Sequence, residues 1–192
     1  MNMKKMKTDE IYEVIKKLHY KLRRDMKEKW DRVIPFEELL FDRWEKAEFV
    51  NAGEGTSIYH MCYIYGDVEI GKNTWIGPFT LLDGTGGLKI GDYCSISAGV
   101  QIYTHDTVKW ALSGGKHKYE YAPVKIGNCC FIGAGTIILK GVRIGNHCLV
   151  AANSLVNKSF GDNSIIAGVP AKKIGEVEVK DGEVILKYYS KK

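Results

Sequence analysis

The chain has 192 residues, 45% of them hydrophobic, with a formal net charge of +5 and five cysteines. That suits one soluble domain with appendages, and the chain has no apolar run of the roughly 18 residues needed to cross a membrane. Met-Asn-Met-Lys-Lys leads into charged residues rather than an apolar stretch, which argues against a secretory signal. The positive balance suits an anionic ligand without naming one, and nucleic acid is not expected.

Residues 1–49 read as helical. Thr8 is placed to cap a helix with Asp9 and Glu10 in its first turn. Ile11, Val14, Ile15, Leu18, Leu22, Met26 and Trp30 follow at helical spacing. Pro35 restarts the chain, and Phe36, Leu39, Leu40 and Trp44 predict the apolar face of a second helix. This pair is expected to pack on the following domain or on a neighbouring subunit. A basic amphipathic helix lying on a membrane surface is the alternative.

From residue 50 to 169 the pattern changes. Aliphatic side chains recur every six residues at Ile58, Ile64, Ile70, Ile76 and Leu82, slip by two, and resume at Ile90, Ile96 and Ile102. They continue at Ile126, Ile132, Ile138, Ile144, Val150 and Val156. Such a period predicts a solenoid of short strands wound as a triangular prism, each hexad laying down one side. The fifth residue of a hexad is small, as at Thr74, Thr80, Val100, Thr136 and Ser154. In a strand it points to the same side as the next aliphatic residue. Cys62, Cys94, Cys130 and Cys148 occupy this position, with Cys129 beside them. No C-x-x-C pair occurs, so they read as inward filler in a reducing compartment, and the cytoplasm is the expected location. The second residue is glycine at Gly71, Gly77, Gly91, Gly127, Gly133 and Gly145, which predicts unusual backbone angles there.

Two interruptions mark where function is expected. The smaller, Asp83-Gly-Thr-Gly-Gly-Leu-Lys, predicts a bulged corner. The larger spans 103–125, leaves the prism at His105 and turns at Gly114-Gly115. A long loop in so regular a fold is usually functional. Its Trp110, Tyr119 and Tyr121 have no evident core within the loop and are expected to pack elsewhere. Beyond the prism, residues 170–192 form a tail with alternating apolar residues around Asp181-Gly182, a hairpin signal.

The ordered set of motifs resembles a known family. Thr-His-Asp at 104–106 opens the loop and Pro123-Val-Lys-Ile-Gly closes it. Phe131-Ile-Gly-Ala, Ile138-Leu-Lys-Gly-Val-Arg-Ile-Gly, Val150-Ala-Ala-Asn-Ser-Leu-Val-Asn-Lys and Ala167-Gly-Val-Pro-Ala-Lys follow. Together they resemble the hexapeptide-repeat acyltransferases, in the branch of maltose, galactoside and nodulation-sugar acetyltransferases and polysaccharide O-acetyltransferases. The resemblance implies a mainly β fold: a left-handed parallel β-helix with an N-terminal helical pair and a short C-terminal β-hairpin. It also implies a homotrimer with active sites in the clefts between subunits, acetyl-CoA as donor, a sugar or nucleotide-sugar acceptor, and no metal.

His105 matches the family's catalytic histidine, the general base for a hydroxyl. Gly133, Ala134 and Ala152 match positions beside the pantetheine arm, and Lys158 and Lys172 match basic positions near the nucleotide end. Where the galactoside enzyme carries an acceptor-binding asparagine this chain has Gly77, so that enzyme's acceptor is not carried over. Asp83 and Trp110 are the candidate acceptor contacts. Acylation of an amino-sugar is the near alternative; a carbonic-anhydrase-like metalloenzyme or a non-catalytic solenoid are the remote ones.

Overall fold

The structure is a computed structural model and describes residues 7–190. Residues 1–6 of the helical segment and the last two of the tail lie outside the described residues.

The core is a three-sided parallel β-solenoid. Its first face stacks Ser57–Ile58, Trp75–Ile76, Ser95–Ile96, Phe131–Ile132 and Leu149–Val150, ending at Ser164–Gly168. The second face stacks the start of Tyr63–Ile70, the start of Leu81–Ile90, then Gln101–Ile102, Ile137–Ile138 and Leu155–Val156. The ends of the two long strands turn the corner to the third face, where they stack with Val124–Ile126 and Arg143–Ile144. Registers pair like with like: Ile76 lies against Ile96, which lies against Ile132, which lies against Val150. The every-sixth aliphatic residues therefore line one continuous core, and all except Ile64 are buried.

The glycines at the second hexad position work differently from the sequence expectation. Positive φ falls two residues later, at Asn73, Phe79, Tyr93, Cys129, Gly135 and His147. The second-position glycines are small because the coils touch there. A Cβ on Gly127 would stand 2.7 Å from the carbonyl carbon of Gly145. Close backbone approach excludes the side chain, and the tight corner itself is made by the residue two places on.

Cys62, Cys94, Cys130 and Cys148 are inward filler, whereas Cys129 is exposed, and three of the four buried thiols have an added polar duty. The Sγ atoms of Cys94, Cys130 and Cys148 lie 3.1, 3.0 and 3.3 Å from the carbonyl oxygens of Gly127, Gly145 and Gly161 in the next coil. Thr74 Oγ1 makes the equivalent bond to Gly91 O at 2.9 Å. Thiol and hydroxyl thus serve one purpose, donating to a corner carbonyl.

The N-terminal helices differ from expectation in three ways. Helix α1 (Thr8–Trp30) starts at Thr8 instead of being capped by it. Glu10 Oε2 accepts from the backbone N–H of Lys7 at 3.0 Å, which displaces the cap by one residue. The predicted second helix is two, α2 (Phe36–Leu40) and α3 (Arg43–Phe49). Asp42 separates them because its side chain accepts from Trp44 N at 2.9 Å and begins a new helix. Helix α3 closes the top of the prism: Ala47 is buried, and Lys46 Nζ donates to the carbonyl oxygens of Tyr59, His60 and Cys62 at 3.2, 2.9 and 3.0 Å. Helix α1 has no buried residue, and its His19 ring meets Phe36 of α2 at 4.7 Å.

The tail is an extension of the prism. Ala171–Lys180 pairs antiparallel with both Ser164–Gly168 and Glu183–Tyr188, adding two strands to the first face. Asp181 and Gly182 both take positive φ between them, as a two-residue hairpin turn demands.

Candidate active site

The site lies at the corner between the second and third faces, where both interruptions fall. The smaller one appears as a register shift in the pairing of Tyr63–Ile70 with Leu81–Ile90, between Gly66 and Val68. Gly87 supplies a φ of +91°, and Gly84 is crowded by the backbone of Asp67 in the preceding coil. The bulge turns Asp83 and Thr85 toward the next coil, where the long loop departs.

His105 and Asp106 leave the prism as a short strand that pairs antiparallel with Glu120–Tyr121. Between them lies helix α4 (Val108–Leu112). Within the loop Trp110 meets Tyr119 edge-on, ring centres 5.5 Å apart, and both rings remain exposed. Tyr121 stacks on His105 at 5.8 Å and 27°.

The imidazole of His105 is held from one side. Its Nδ1 lies 2.7 Å from Asp83 Oδ2 and 2.9 Å from Thr85 Oγ1. Asp83 also accepts from Thr104 N at 2.8 Å and Thr104 Oγ1 at 3.2 Å on Oδ2. On Oδ1 it accepts from Thr85 N at 3.0 Å and Thr85 Oγ1 at 2.5 Å. Burial alone would raise the Asp83 pKa. The hydrogen bonds from Thr85, Thr104 and His105 outweigh it and hold the carboxyl well below the usual carboxylate range. An ionised Asp83 accepts a hydrogen bond from Nδ1–H, which fixes the tautomer and leaves the lone pair on Nε2. The His105 side chain is 32% exposed against 3% for Asp83, so the imidazole, not the carboxylate, is accessible.

A second cluster clamps the loop to the prism. Lys140 Nζ lies 3.0 Å from Asp106 Oδ2 and 2.7 Å from Glu120 Oε2, joining both loop stems to the corner of the next coil. Lys109 also pairs with Glu120. Hydrogen bonds from Lys109 and Lys140 draw the Glu120 pKa down to about 2, and Lys140 lowers that of Asp106.

The sequence-predicted residues divide into groups. His105 and Asp83 are brought together, with Asp83 buried beside the imidazole and both of its oxygens engaged. Trp110 sits on α4 with Tyr119 as its ring partner. Gly133, Ala134 and Ala152 cluster at another corner, between the first and second faces. There Gly133 N donates to Val150 O and Asn153 N donates to Ala134 O, both at 2.8 Å. Lys158 lies over the Phe160 ring at 5.7 Å, and Lys172 is exposed on the strand after the prism. Among the described residues no group of three His, Cys, Asp or Glu converges as metal ligands, and no helix is long and apolar enough to cross a membrane. Thr85, Lys140 and Glu120 were not singled out from sequence. Thr85 carries a signal in hindsight, because it stands among the glycines of the slipped hexad.

Comparison with known proteins agrees with this architecture. Residues 123–158 match the family model described as bacterial transferase hexapeptide (six repeats). Protein CapG of Staphylococcus aureus is 45% identical over 102 residues, covering 51% of this chain and 58% of CapG. Galactoside O-acetyltransferase of Escherichia coli (strain K12) is 31% identical over 148 residues, covering 75% of this chain and 72% of that protein. Among solved structures, a variant of AntD is similar at 26% identity with a TM-score of 0.59, covering 71% of this chain and 89% of that one. It is an N-acyltransferase from Bacillus cereus in complex with dTDP and coenzyme A. The chain belongs to the hexapeptide-repeat acyltransferases, whose fold is the left-handed parallel β-helix. It spans little more than half the length of CapG.

Proposed function

We propose that the chain transfers an acetyl group from acetyl-CoA to a hydroxyl of a sugar or glycoconjugate, with His105 as general base. The observation that carries this reading is the imidazole held through Nδ1 by a buried, ionised Asp83, its Nε2 left free. A sugar hydroxyl attacks a thioester poorly until its proton is removed. Nε2 takes that proton as the oxygen bonds to the thioester carbon. The tetrahedral intermediate collapses by breaking the C–S bond, and the imidazolium returns the proton to the departing CoA thiolate. Asp83 steadies the transient positive charge across Nδ1, and Thr85 and Thr104 keep Asp83 from taking the proton itself.

Two corners contribute to this reading. His105 stands at one end of the second face, and Ala134 and Ala152, proposed to run beside the pantetheine arm, stand at the other. Three prisms packed about a closed axis bring one protomer's His105 corner against its neighbour's alanine corner, which favours a homotrimer. Lys158 and Lys172 then serve the nucleotide end of the donor. Trp110 keeps its proposed place beside the acceptor on the exposed loop. Transfer to an amino-sugar is the second reading, favoured by the likeness to an N-acyltransferase.

The test is release of coenzyme A from acetyl-CoA across a panel of sugars, nucleotide-sugars and amino-sugars, with His105→Ala beside the native protein. For a hydroxyl acceptor kcat should fall by about 10²–10⁴-fold. A variant that matches the native protein on every accepted hydroxyl overturns the assignment.

A further inference from the structure

The third face carries a row of charge that the acyl-transfer reading leaves unused. In register across its strands, Glu69 lies against Lys89, Lys89 against Lys125, and Lys125 against Arg143. Parallel neighbours stand about 4.8 Å apart, so three cations occupy successive rungs, and like charges placed directly opposite destabilise a sheet. The carboxylates serve one end only. Glu69 pairs with Lys89 at 2.7 Å, and Asp67 adds to the negative field at that same lysine. Among the described residues neither Lys125 nor Arg143 has an ion-pair partner.

These side chains rim a groove of about 330 Å³ with Gly87 and Pro123 on its floor and Asp67 beside them; Leu88 and Val124 border it through backbone, their side chains being buried in the prism. Its volume equals that of roughly ten waters, room for a diphosphate and part of its hydration. The floor is also the back of the active-site corner. Gly87 follows two residues after Thr85, which bonds His105, and Pro123 follows two residues after Tyr121, which stacks on it. An anion seated against Lys125 and Arg143 is therefore just round the corner from the imidazole.

We propose that this groove binds the diphosphate of a ligand whose reactive end reaches His105. The chemistry required is two adjacent phosphate groups, supplied by a nucleoside diphosphate that carries the acceptor, since the nucleotide end of the donor is assigned to Lys158 and Lys172. The proposal rests on the acyl-transfer reading of the His105 corner for its purpose, but its test is a binding measurement that needs no turnover.

Inorganic pyrophosphate is titrated calorimetrically into the full chain, into Lys125→Ala/Arg143→Ala, and into Lys116→Ala/Lys118→Ala, which removes the same charge from the exposed loop. The groove variant should bind pyrophosphate on the order of tenfold or more weakly, and the loop variant should match the native protein. Displacement of pyrophosphate by uridine diphosphate but not by coenzyme A assigns the groove to the acceptor, and the reverse pattern overturns that assignment. Equal affinity in the native and groove-variant proteins overturns the proposal, as does absence of pyrophosphate binding. A groove variant whose assembly falls apart in light scattering while pyrophosphate affinity is kept also overturns it, because the row would then be an interface between copies.

Discussion

Two corners of the same prism solve the same problem in opposite ways. At the corner between the third and first faces every coil repeats one device. The side chains of Asp92, Asn128, Asn146 and Asp162 accept from the backbone N–H of Lys72, Asp92, Asn128 and Asn146, at 2.7, 2.9, 2.9 and 2.7 Å. Each side chain satisfies a backbone donor of the coil before it, so the donors of this edge are spent within the prism. At the corner between the second and third faces no two coils are alike. There the backbone N–H groups of Thr85 and Thr104 turn inward to one carboxylate, Asp83, which in turn holds an imidazole. Breaking the repeat costs the ladder and releases donors, and the site is made from those donors.

The sharpest way to break this contrast is to remove the charge that the irregular corner gathers. Asp83→Asn keeps the shape, but it removes the charge behind the imidazole, and whichever way its amide turns the NH2 faces a backbone N–H, of Thr104 or of Thr85, that donates to the carboxylate. We expect kcat with a hydroxyl acceptor to fall by about 10²-fold or more, beside a loss of stability of about 1–3 kcal/mol from the unmet donor. The pH profile separates positioning from packing. If Asp83 acts through His105, the limb of the kcat/KM profile that reports the imidazole should move in the variant. An unmoved limb with a lowered melting temperature would make Asp83 merely structural.

The regular edge should be sensitive in a different currency, stability. Gly127→Ala brings a methyl group to within 2.7 Å of the Gly145 carbonyl carbon and 2.8 Å of Asn146 N. Overpacking of this kind costs about 1–3 kcal/mol, and the affected atoms are backbone, which cannot rotate away. At Gly161, on the last rung of the same edge, a Cβ meets nothing within 4 Å. Gly161→Ala should lie within about 0.5 kcal/mol of the native protein or stabilise it slightly. Denaturant melts of the two variants decide the matter, and equal losses would show that close stacking is not why glycine is needed.

The contrast also explains what was legible in the sequence. The prism was legible because every coil imposes the same packing on the same position, so Ile58 through Val156 spell it out. The place proposed for the site follows from the opposite cue, since the two breaks in the rhythm, at Asp83 and at Tyr103–Lys125, supply its two halves. What was not legible was how those halves meet. Asp83 and His105 are 22 residues apart in sequence, yet a single step between coils puts Asp83 Oδ2 2.7 Å from His105 Nδ1. Sequence spacing reads distance along the chain, and this contact depends on a bulge that spacing does not encode. The same limit misplaced the strain of the corners, because Gly127 and Gly145 mark where coils touch, while the left-handed residues include Tyr93, Cys129 and His147.

The smallest expected effect tests the clamp between the loop and the prism. Glu120 titrates at about 2 in the folded chain, below its ordinary value of about 4.3. A carboxylate lowered on folding stabilises the fold above its unfolded pKa, and loses that contribution as pH falls through the folded value. The cluster is largely exposed and screened by solvent, so its share of the global stability is small. Lys140→Met should therefore leave the midpoint of global unfolding nearly unchanged at pH 7. It should free both loop stems, raising amide exchange across residues 106–121 while exchange in the prism stays as it was. In the native protein the same loosening should appear without mutation between about pH 4 and pH 2. Loop exchange that is identical in the variant and native proteins at pH 7 would mean that the short pairing of His105–Asp106 with Glu120–Tyr121 holds the loop by itself. The order at the irregular corner would then come from backbone alone, as it does nowhere on the regular edge.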